Sequence, residues 1–303
     1  MPHNVWVREL RAPFLMLPLI FSPLGIAIAL NHGHFNPFTA ILTVIGATCL
    51  HAAVNILNDY FDYKSGIDII TTPTPFSGGS RILPGKELTL NRVLGYGLGF
   101  LVAGLGIGTY FIIAFSYDPI LIGLLLVAAI SCVAYSPLIA QRGMGELMAG
   151  LDFGPLLVLG SYYIQTHTLS VEPFVAGIAP GILTACILYI NEFPDTKADL
   201  QVGRLHLVAR WGKEAAAARY KFMIFSAYAV IALGVILRVI TPFALIALLA
   251  LPKAITANKE LSKNYEKTME LIPGMANTVM ATLWTGGLIL AGYVISWVVS
   301  LIL

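Results

Sequence analysis

The amino-acid sequence predicts an all-α, polytopic membrane protein that folds as a bundle of nine transmembrane helices. Hydrophobic residues make up 57% of the 303 residues and charged residues only 11%, whereas a soluble domain has about 25% charged residues. The mean hydropathy is +0.81, and the apolar residues are gathered into runs long enough to cross a lipid bilayer. The net charge is only +2 and there is no long basic run, so no nucleic-acid partner is expected. No obligatory protein partner is indicated either.

Nine segments are apolar over roughly the 20 residues that a spanning helix needs. The seventh and eighth are separated only by residues 238–242, so the turn between them must be tight. No soluble domain interrupts the series, and residues 1–303 are predicted to form a single transmembrane domain. The predicted segments are 12–30, 38–58, 90–114, 119–137, 144–165, 172–191, 216–237, 239–256 and 276–301.

Basic residues determine the predicted orientation, because cytoplasmic loops contain an excess of Lys and Arg. With the N-terminus in the cytoplasm, 17 of the 18 Lys and Arg residues fall on the cytoplasmic side, and only Arg238 falls outside. The C-terminus is then outside. Two long connections, about 59–89 and 192–215, are predicted as cytoplasmic loops, and long loops in a compact bundle are usually functional or disordered.

The first of these connections begins with closely spaced polar residues. Asn58 and Asp62 are four residues apart and share one face of a helix. Together with Asp62, Asp59 and Asp68 place three carboxylates within ten residues. Such carboxylates repel one another unless a positive charge lies between them. Mg²⁺ meets this requirement because it prefers carboxylate oxygens and leaves room for phosphate; a plain acidic loop is the alternative.

The second connection repeats the pattern. Asn191, Asp195 and Asp199 follow one another at four-residue spacing after the sixth apolar segment. Two acidic clusters, each at the end of an apolar segment, predict two metal half-sites that face each other and bind a diphosphate. The pair Gly78-Gly79 in the first connection either lets backbone N–H groups approach that diphosphate or forms a plain flexible turn.

These motifs resemble those of the UbiA superfamily of intramembrane prenyltransferases. That family has an Asn-Asp-x-x-Asp motif followed by a further Asp, and a second Asp-x-x-x-Asp motif; here they match residues 58–62 with Asp68, and residues 195–199. The sequence Asp-Tyr-Lys-Ser-Gly-Ile-Asp at 62–68 is most similar to the corresponding motif of the menaquinone branch, which prenylates 1,4-dihydroxy-2-naphthoate. The similarity extends to residues 11–14, 81–83, 145–146 and 153–155.

The resemblance implies Mg²⁺-dependent transfer of a polyprenyl group from a prenyl diphosphate to an aromatic acceptor, with two Mg²⁺ ions. In the 4-hydroxybenzoate branch the last Asp of the first motif follows after four residues, whereas Asp68 follows Asp62 after six. Asp68 therefore either binds metal directly or holds a basic residue or water. Asp62, Asp195 and Asp199 are also expected to be catalytic, and both asparagines to contact substrate. The expected metal ligands are Asn58, Asp62, Asp68, Asn191, Asp195 and Asp199.

Binding a diphosphate between carboxylates also needs cationic side chains. Arg142, in the short turn between the fourth and fifth segments, is the first candidate for both binding and catalysis. Lys64 and Arg81 flank the first motif and are further candidates. Arg11 is a candidate to pair with an acceptor carboxylate. The alternative for Arg142 and for Arg11 is a plain positive-inside arginine that only sets the topology.

Polar residues inside the apolar segments complete the candidates. Tyr135 either shields the allylic cation and orients the acceptor or is an interfacial aromatic residue. Asn55 and His51 precede the first motif and are placed to line a pocket. Asp152 lies about 15 Å deep at 1.5 Å per residue, a depth at which ionisable residues are functional suspects. Either Asp152 or Glu146 deprotonates the acceptor or orients its hydroxyl, or Asp152 only bonds a neighbouring helix.

Other functions predict different sequence features. Hydroxybenzoate and glyceryl-phosphate prenyltransferases are the nearest alternatives within the superfamily. A secondary transporter would place its charges near the middle of the membrane at broken helices, whereas here they cluster at one face. A CDP-alcohol phosphotransferase would have one compact acidic motif with Asp-Gly and Ala-Arg at fixed offsets, which this sequence lacks.

Overall fold

The computed structural model describes residues 4–303, and every regular element in this range is helical. Residues 1–3, where the predicted domain begins, lie outside it. The α-helices are α1 (Val5–Glu9), α2 (Met16–Asn31), α3 (Pro37–Ser65), α4 (Ile67–Ile70), α5 (Leu90–Ala114), α6 (Pro119–Ala134), α7 (Gly145–Leu151), α8 (Leu157–Thr166), α9 (Val171–Gln201), α10 (Leu207–Trp211), α11 (Lys213–Ile236), α12 (Leu251–Asn264) and α13 (Ile272–Ser300).

Seven helical segments of the described chain are long and apolar enough to cross a membrane. The all-α membrane class is therefore confirmed, while the count of nine spans is not. The seven segments are Ala12–Asn31, Pro37–Ser65, Leu90–Ala114, Gly145–Thr166, Val171–Gln201, Lys213–Ile236 and Ile272–Ser300.

The two remaining predicted segments are built differently. The fourth is α6, which has 16 residues and continues into a π-helical turn, Tyr135–Ile139. The eighth begins as a 3₁₀ helix, Pro242–Ala250, and continues as α12. Helix α12 has only 14 residues and includes several lysines, so it lacks the uninterrupted apolar run of a spanning helix.

Both acidic motifs lie on helices rather than in loops, which corrects the prediction of motif loops. Helix α3 continues past the predicted end of its segment to Ser65 and stops at Gly66, whose φ of 83° is left-handed. Helix α9 continues to Gln201, and the left-handed Gly203 follows with a φ of 77°. Helix α3 contains no helix breaker before Gly66, and α9 continues through Pro194, so each helix ends only at or just before a left-handed glycine.

Helix α9 lies at the centre of the bundle, where it packs against α7, α11 and α13. Close approach to the α7–α8 segment depends on small residues, as is common between membrane helices. A Cβ atom on Gly154 would lie 2.5 Å from the Cα of Gly181. Helix α3 packs along α5 on the other side of the bundle, and a cavity between these elements joins the ends of α3 and α9.

Candidate active site

The end of α3 presents the first motif to the cavity. Asn58 and Asp62 are one helical turn apart, and the Asn58 Nδ2 donates to Asp62 Oδ2 at 2.9 Å, as their spacing predicts. The same amide nitrogen donates to Ser136 Oγ at 3.2 Å. The amide thereby fixes the orientation of the Asp62 carboxylate, whose second oxygen, Oδ1, faces Arg204.

The end of α9 presents the second motif. The side-chain amide of Asn191 donates from Nδ2 to the carbonyl oxygen of Phe76 at 3.0 Å, which ties α9 to the connection after α4. Within residues 4–303, the buried oxygens Asn191 Oδ1 and Asp195 Oδ1 have no hydrogen-bond partner. Buried polar atoms are almost always paired in folded proteins, so these oxygens point to a ligand.

Arg204 joins the two helix ends. Its Nη2 lies 2.5 Å from Asp62 Oδ1, and its Nη1 lies 3.5 Å from Asp199 Oδ1. Burial by itself would lower the pKa of Arg204, but the carboxylates of Asp62 and Asp199 outweigh burial and raise it. One guanidinium reaches a carboxylate of each motif, so the ends of α3 and α9 are close enough to share one small ligand.

The turn after α9 explains how Arg204 reaches this position. Gly203 is left-handed, and the backbone N–H of Arg204 donates to the Asp199 carbonyl at 2.9 Å. This bond closes the helix C-terminus and turns the chain back over its own last turn. The guanidinium therefore lies above the carboxylates of α9 rather than continuing away from them.

His206 extends the same charged cluster. Its Nε2 lies 3.2 Å from Asp199 Oδ2, and its Nδ1 lies 3.1 Å from Glu192 Oε2. Burial opposes the imidazolium form, but hydrogen bonding to these two carboxylates raises the pKa of His206 to about 9. Glu146 closes the cluster from α7, where its Oε1 accepts from the Leu207 backbone N–H at 3.1 Å.

The polar, open end of the cavity is called its mouth here. The ends of α3 and α9 form two of its sides, and Asp68 with the glycine pair forms the third. A Cβ on Gly79 would lie 3.3 Å from Asp68 Oδ1 and 3.2 Å from Asp59 Oδ1, so the backbone there passes close to both carboxylates. Gly78 and Gly79 both have positive φ, which other residues rarely adopt. Burial, followed by the nearby carboxylates of Asp62 and Asp59, raises the pKa of Asp68 to about 8.

Asp59 belongs to the wall rather than to the mouth. Its Oδ2 accepts from the Ser80 backbone N–H at 2.7 Å, and its Oδ1 lies 3.9 Å from Arg11 Nη1. Arg11 lines the cavity and lies over the ring of Phe14 at 5.0 Å. Asn55 also lines the cavity, and its Nδ2 donates to the Leu10 carbonyl at 3.2 Å. These contacts hold the N-terminal segment against the first motif.

The cavity has a volume of about 420 Å³, with polar residues at its mouth and apolar residues in its interior. Along α3 its lining extends from Asp62 to Thr43, which spans about 28 Å at 1.5 Å per residue. Helices α5 and α6 line the far part with Ile107, Phe111 and Leu124. Such a cavity accommodates a ligand with an anionic head and a long apolar tail.

Most of the sequence-predicted residues line this cavity, but three of the basic ones do not. Arg142 is exposed, and its carbonyl accepts from Arg210 Nη2 at 2.6 Å. The turn that contains Arg142 packs through its backbone against the chain at Leu205. The contact is so close that a Cβ on Gly143 would lie 1.9 Å from the Leu205 carbonyl oxygen. The predicted residues that line the cavity are Arg11, Asn55, Asn58, Asp62, Asp68, Tyr135, Asp152, Asn191, Asp195 and Asp199.

The other two basic candidates make local contacts. Arg81 donates to the backbone carbonyl of Asp68, so it supports the position of Asp68 without facing the cavity. The Lys64 ammonium lies 5.9 Å from the ring centre of Tyr60, and Lys64 lines a separate pocket beside Asp62 and Arg204. The sequence interpretation missed Arg204, His206 and Glu192 at the mouth. All three residues lie within one to two helical turns of Asp195 or Asp199 in the sequence, and this proximity could have identified them.

The oxygen-rich mouth fits Mg²⁺ together with a phosphate ligand. No group of three His, Cys, Asp or Glu side chains in residues 4–303 is close enough to hold a metal ion by itself. Mg²⁺ usually binds one or two carboxylates and completes its shell with water and substrate phosphate. The unpartnered amide oxygen of Asn191 and carboxylate oxygen of Asp195 are ligands that Mg²⁺ accepts. These donors therefore suit a Mg²⁺ ion that binds together with a diphosphate.

Comparison with known proteins agrees with this chemistry. Residues 18–272 match the profile of the UbiA prenyltransferase family. The 1,4-dihydroxy-2-naphthoate octaprenyltransferase of Escherichia coli is 27% identical over 97% of this chain and 96% of its own length. The Bacillus subtilis enzyme of the same name is 27% identical over 90% and 87%.

Solved structures have the same fold. An apo UbiA homologue from Aeropyrum pernix superposes with a TM-score of 0.69 at 16% identity, covering 93% of this chain and 97% of its own. A UbiA homologue from Archaeoglobus fulgidus, solved with GPP and Mg²⁺, gives a TM-score of 0.52 at 15% identity, covering 94% and 99%. With its family profile, its naphthoate-prenylating relatives and its membrane-spanning helices, the chain belongs to the UbiA family and is a prenyltransferase embedded in the membrane.

Proposed function

We propose that this enzyme transfers a polyprenyl group from a prenyl diphosphate to 1,4-dihydroxy-2-naphthoate, a step of menaquinone biosynthesis, with two Mg²⁺ ions. The observation that supports it most is the meeting of α3 and α9 at the mouth of an elongated apolar cavity, where Arg204 contacts Asp62 and Asp199. The names of the curated relatives support the acceptor.

The diphosphate is proposed to bind at the mouth. Asp62, Asp195 and Asp199, with the amides of Asn58 and Asn191 and with Asp68, would hold Mg²⁺. Bound Mg²⁺ supplies Lewis-acid stabilisation of the charge that develops on the leaving diphosphate. Arg204 contributes a fixed positive charge to the same oxygens, since its raised pKa keeps it protonated. The ion pairs that Arg204 makes with Asp62 and Asp199 are exchanged for contacts to phosphate.

The prenyl chain is proposed to extend into the apolar part of the cavity. Removing water from the allylic carbon prevents loss of the reactive cation to hydrolysis. Tyr135 lines the cavity between the mouth and α6, where its ring shields that carbon. Arg11 lines the cavity on the side of α2, where its guanidinium pairs with the acceptor carboxylate.

The membrane arrangement is also a proposal. The chain forms one domain with the N-terminus and the active site in the cytoplasm and the C-terminus outside, because 17 of 18 basic residues then lie inside. This orientation needs nine crossings. It is supported by the lengths of the continuous helical stretches 119–139 and 242–264, although the second stretch ends in the lysine-containing α12.

Purified protein in lipid nanodiscs tests the proposal. It is incubated with prenyl diphosphates of several lengths, with naphthoate, hydroxybenzoate and glyceryl-phosphate acceptors, and with Mg²⁺ or EDTA. Mass spectrometry is expected to detect a prenylated naphthoate that forms only with Mg²⁺. Product on hydroxybenzoate or glyceryl phosphate alone would reassign the acceptor. Flux of substrate across liposomes without any product would indicate a transporter instead.

A further inference from the structure

Asp152 lines the cavity but is not one of the residues proposed to bind the diphosphate. It lies six residues after Glu146 on the α7–α8 segment, or about 9 Å farther from the mouth at 1.5 Å per residue. Beyond it the same segment lines the cavity mainly with apolar residues, namely Phe153, Leu156, Leu157, Gly160, Ser161 and Ile164. Asp152 therefore marks the boundary between the polar mouth and the apolar interior.

The backbone at this point is irregular. Residues Asp152–Leu156 form a π-helical turn, in which Gly154 has φ −101° and ψ −108° and Pro155 lacks an N–H donor. Irregular backbone at membrane depth is tolerated only where it is buried in protein or lines a cavity. Turns of this type occur frequently at functional sites. The turn therefore marks this part of the cavity wall as a position with a specific role.

The Asp152 side chain is only partly satisfied by the protein. Ser131 on α6 donates from Oγ to Asp152 Oδ1 at 3.2 Å, and the described residues provide no other hydrogen bond to this carboxyl group. A carboxyl group accepts more than one hydrogen bond, and leaving one unpaired in an apolar wall is costly. A ligand group that donates a hydrogen bond from the cavity would satisfy it.

A second polar atom lies at the same level. The ring of His51 packs against the ring of Phe153 with centroids 4.4 Å apart, and His51 also lines the cavity. Its Nδ1 is buried and has no hydrogen-bond partner among residues 4–303. Polar atoms from α3 and from the π-helical turn therefore lie beside the same stretch of the cavity.

We propose that Asp152, held by Ser131, accepts a hydrogen bond from a ring hydroxyl of the aromatic acceptor. This inference rests on the proposed function, because an acceptor ring must lie beside the allylic carbon, directly below the diphosphate. The hydrogen bond would fix the rotation of the ring and so select which ring carbon faces the prenyl group. A site that pairs with a hydroxyl rejects an analogue without it, because the polar group is then left unpaired.

The test compares two ligands that differ in their ring hydroxyls, 1,4-dihydroxy-2-naphthoate and 2-naphthoate. Binding of each is measured under argon with wild type, Asp152→Leu and Asp152→Asn. Asp152→Leu is expected to weaken binding of the dihydroxy compound about tenfold and to change 2-naphthoate by less than about twofold. Asp152→Asn keeps a carbonyl acceptor and is expected to stay within about threefold of wild type. Equal effects of Asp152→Leu on both ligands, or none, would overturn the inference.

Thr166→Ala is the control, since it removes a hydroxyl at the far end of the same helical segment that lies outside the cavity lining, and it is expected to change neither affinity. Thermal unfolding of each variant separates folding from binding. If Asp152→Leu does not fold, Ser131→Ala takes its place, with an expected selective loss of about threefold; equal losses would again contradict the subsite. Wild type that makes product without preferring the dihydroxy ligand refutes this inference alone. Hydroxyl-selective binding without product refutes the proposed reaction alone.

Discussion

The two ends of the bundle differ in how completely their polar side chains are hydrogen-bonded. At the end opposite the motifs, His32 contacts the Tyr162 hydroxyl and Glu172 Oε2, each at 2.8 Å, and the Tyr293 hydroxyl donates to Glu172 Oε1 at 2.9 Å. At the motif end, buried oxygens of Asn191 and Asp195 have no partner among residues 4–303. The first arrangement stabilises the fold, whereas the second leaves binding capacity for a ligand.

The largest expected effect is at the motif end. Asp195→Ala removes a carboxylate whose Oδ1 has no hydrogen-bond partner among residues 4–303, so turnover is expected to fall about 10³-fold or more. The melting temperature should stay the same or rise, because an uncompensated buried charge is lost. Product formation by mass spectrometry and thermal unfolding in detergent measure the two effects. A variant that retains activity but melts earlier would make Asp195 a structural residue.

Arg204 is expected to show the next largest effect. Arg204→Ala removes the cation between Asp62 and Asp199, and we expect kcat/KM for the prenyl diphosphate to fall about 10²-fold. Steady-state kinetics with each substrate varied in turn should place the loss on the diphosphate.

Arg142→Ala is the control for this variant, because Arg142 is exposed and outside the cavity lining. It is expected to remain within about twofold of wild type. The opposite pattern, with Arg142 essential and Arg204 dispensable, would restore the assignment that the sequence alone favoured.

The paired cluster at the other end predicts a loss of stability without a loss of chemistry. Tyr293→Phe leaves Glu172 without one of its donors, which is expected to cost about 1 kcal/mol of unfolding free energy. Urea or thermal unfolding in the same detergent measures this cost, while kcat and both KM values should stay at wild-type levels. A substantial change in kcat would show that this end also takes part in catalysis.

A further effect, expected on stability and not on catalysis, is a pH dependence near the N-terminal segment. Glu9 is fully buried, its Oε2 accepts from Ser80 Oγ at 2.7 Å, and its Oε1 has no partner among residues 4–303. Burial, then the Asp59 carboxylate, raises the pKa of Glu9 to about 7 from an ordinary value of 4.5. The folded state thus binds the proton more tightly than the unfolded chain, and the stability this contributes is lost as pH rises from about 4.5 to 7.

Glu9→Gln removes this titration and keeps an acceptor for Ser80. It is expected to stabilise the protein by about 1–2 kcal/mol at pH 8 relative to wild type, and to make no difference at pH 4. Melting temperatures of both proteins across pH 4–8 test this expectation. A constant difference over that range would exclude titration of Glu9 as the cause.

The sequence predicted the parts of the molecule that depend on spacing. Four-residue spacing placed Asn58 beside Asp62, and the structure forms that bond. The sequence could not place Arg204, because its position depends on the left-handed turn at Gly203 after the second motif. Nor could the sequence show that Arg142 lies outside the cavity lining, since its turn docks by backbone contacts that no residue pattern reveals. The length of α3 was underestimated because its last turns are polar, and polarity resembles a loop.

Shared use of one ligand by both helix ends can be tested most directly by a double-mutant cycle. Affinity for a non-hydrolysable prenyl thiodiphosphate with Mg²⁺ is measured for wild type, Asp62→Ala, Asp195→Ala and the double variant. Convergence of α3 and α9 on one diphosphate predicts that the double variant loses little more affinity than either single variant, with a coupling energy of at least about 1.5 kcal/mol. Losses that add within about 0.5 kcal/mol would show that the two motifs act independently and would contradict a common site.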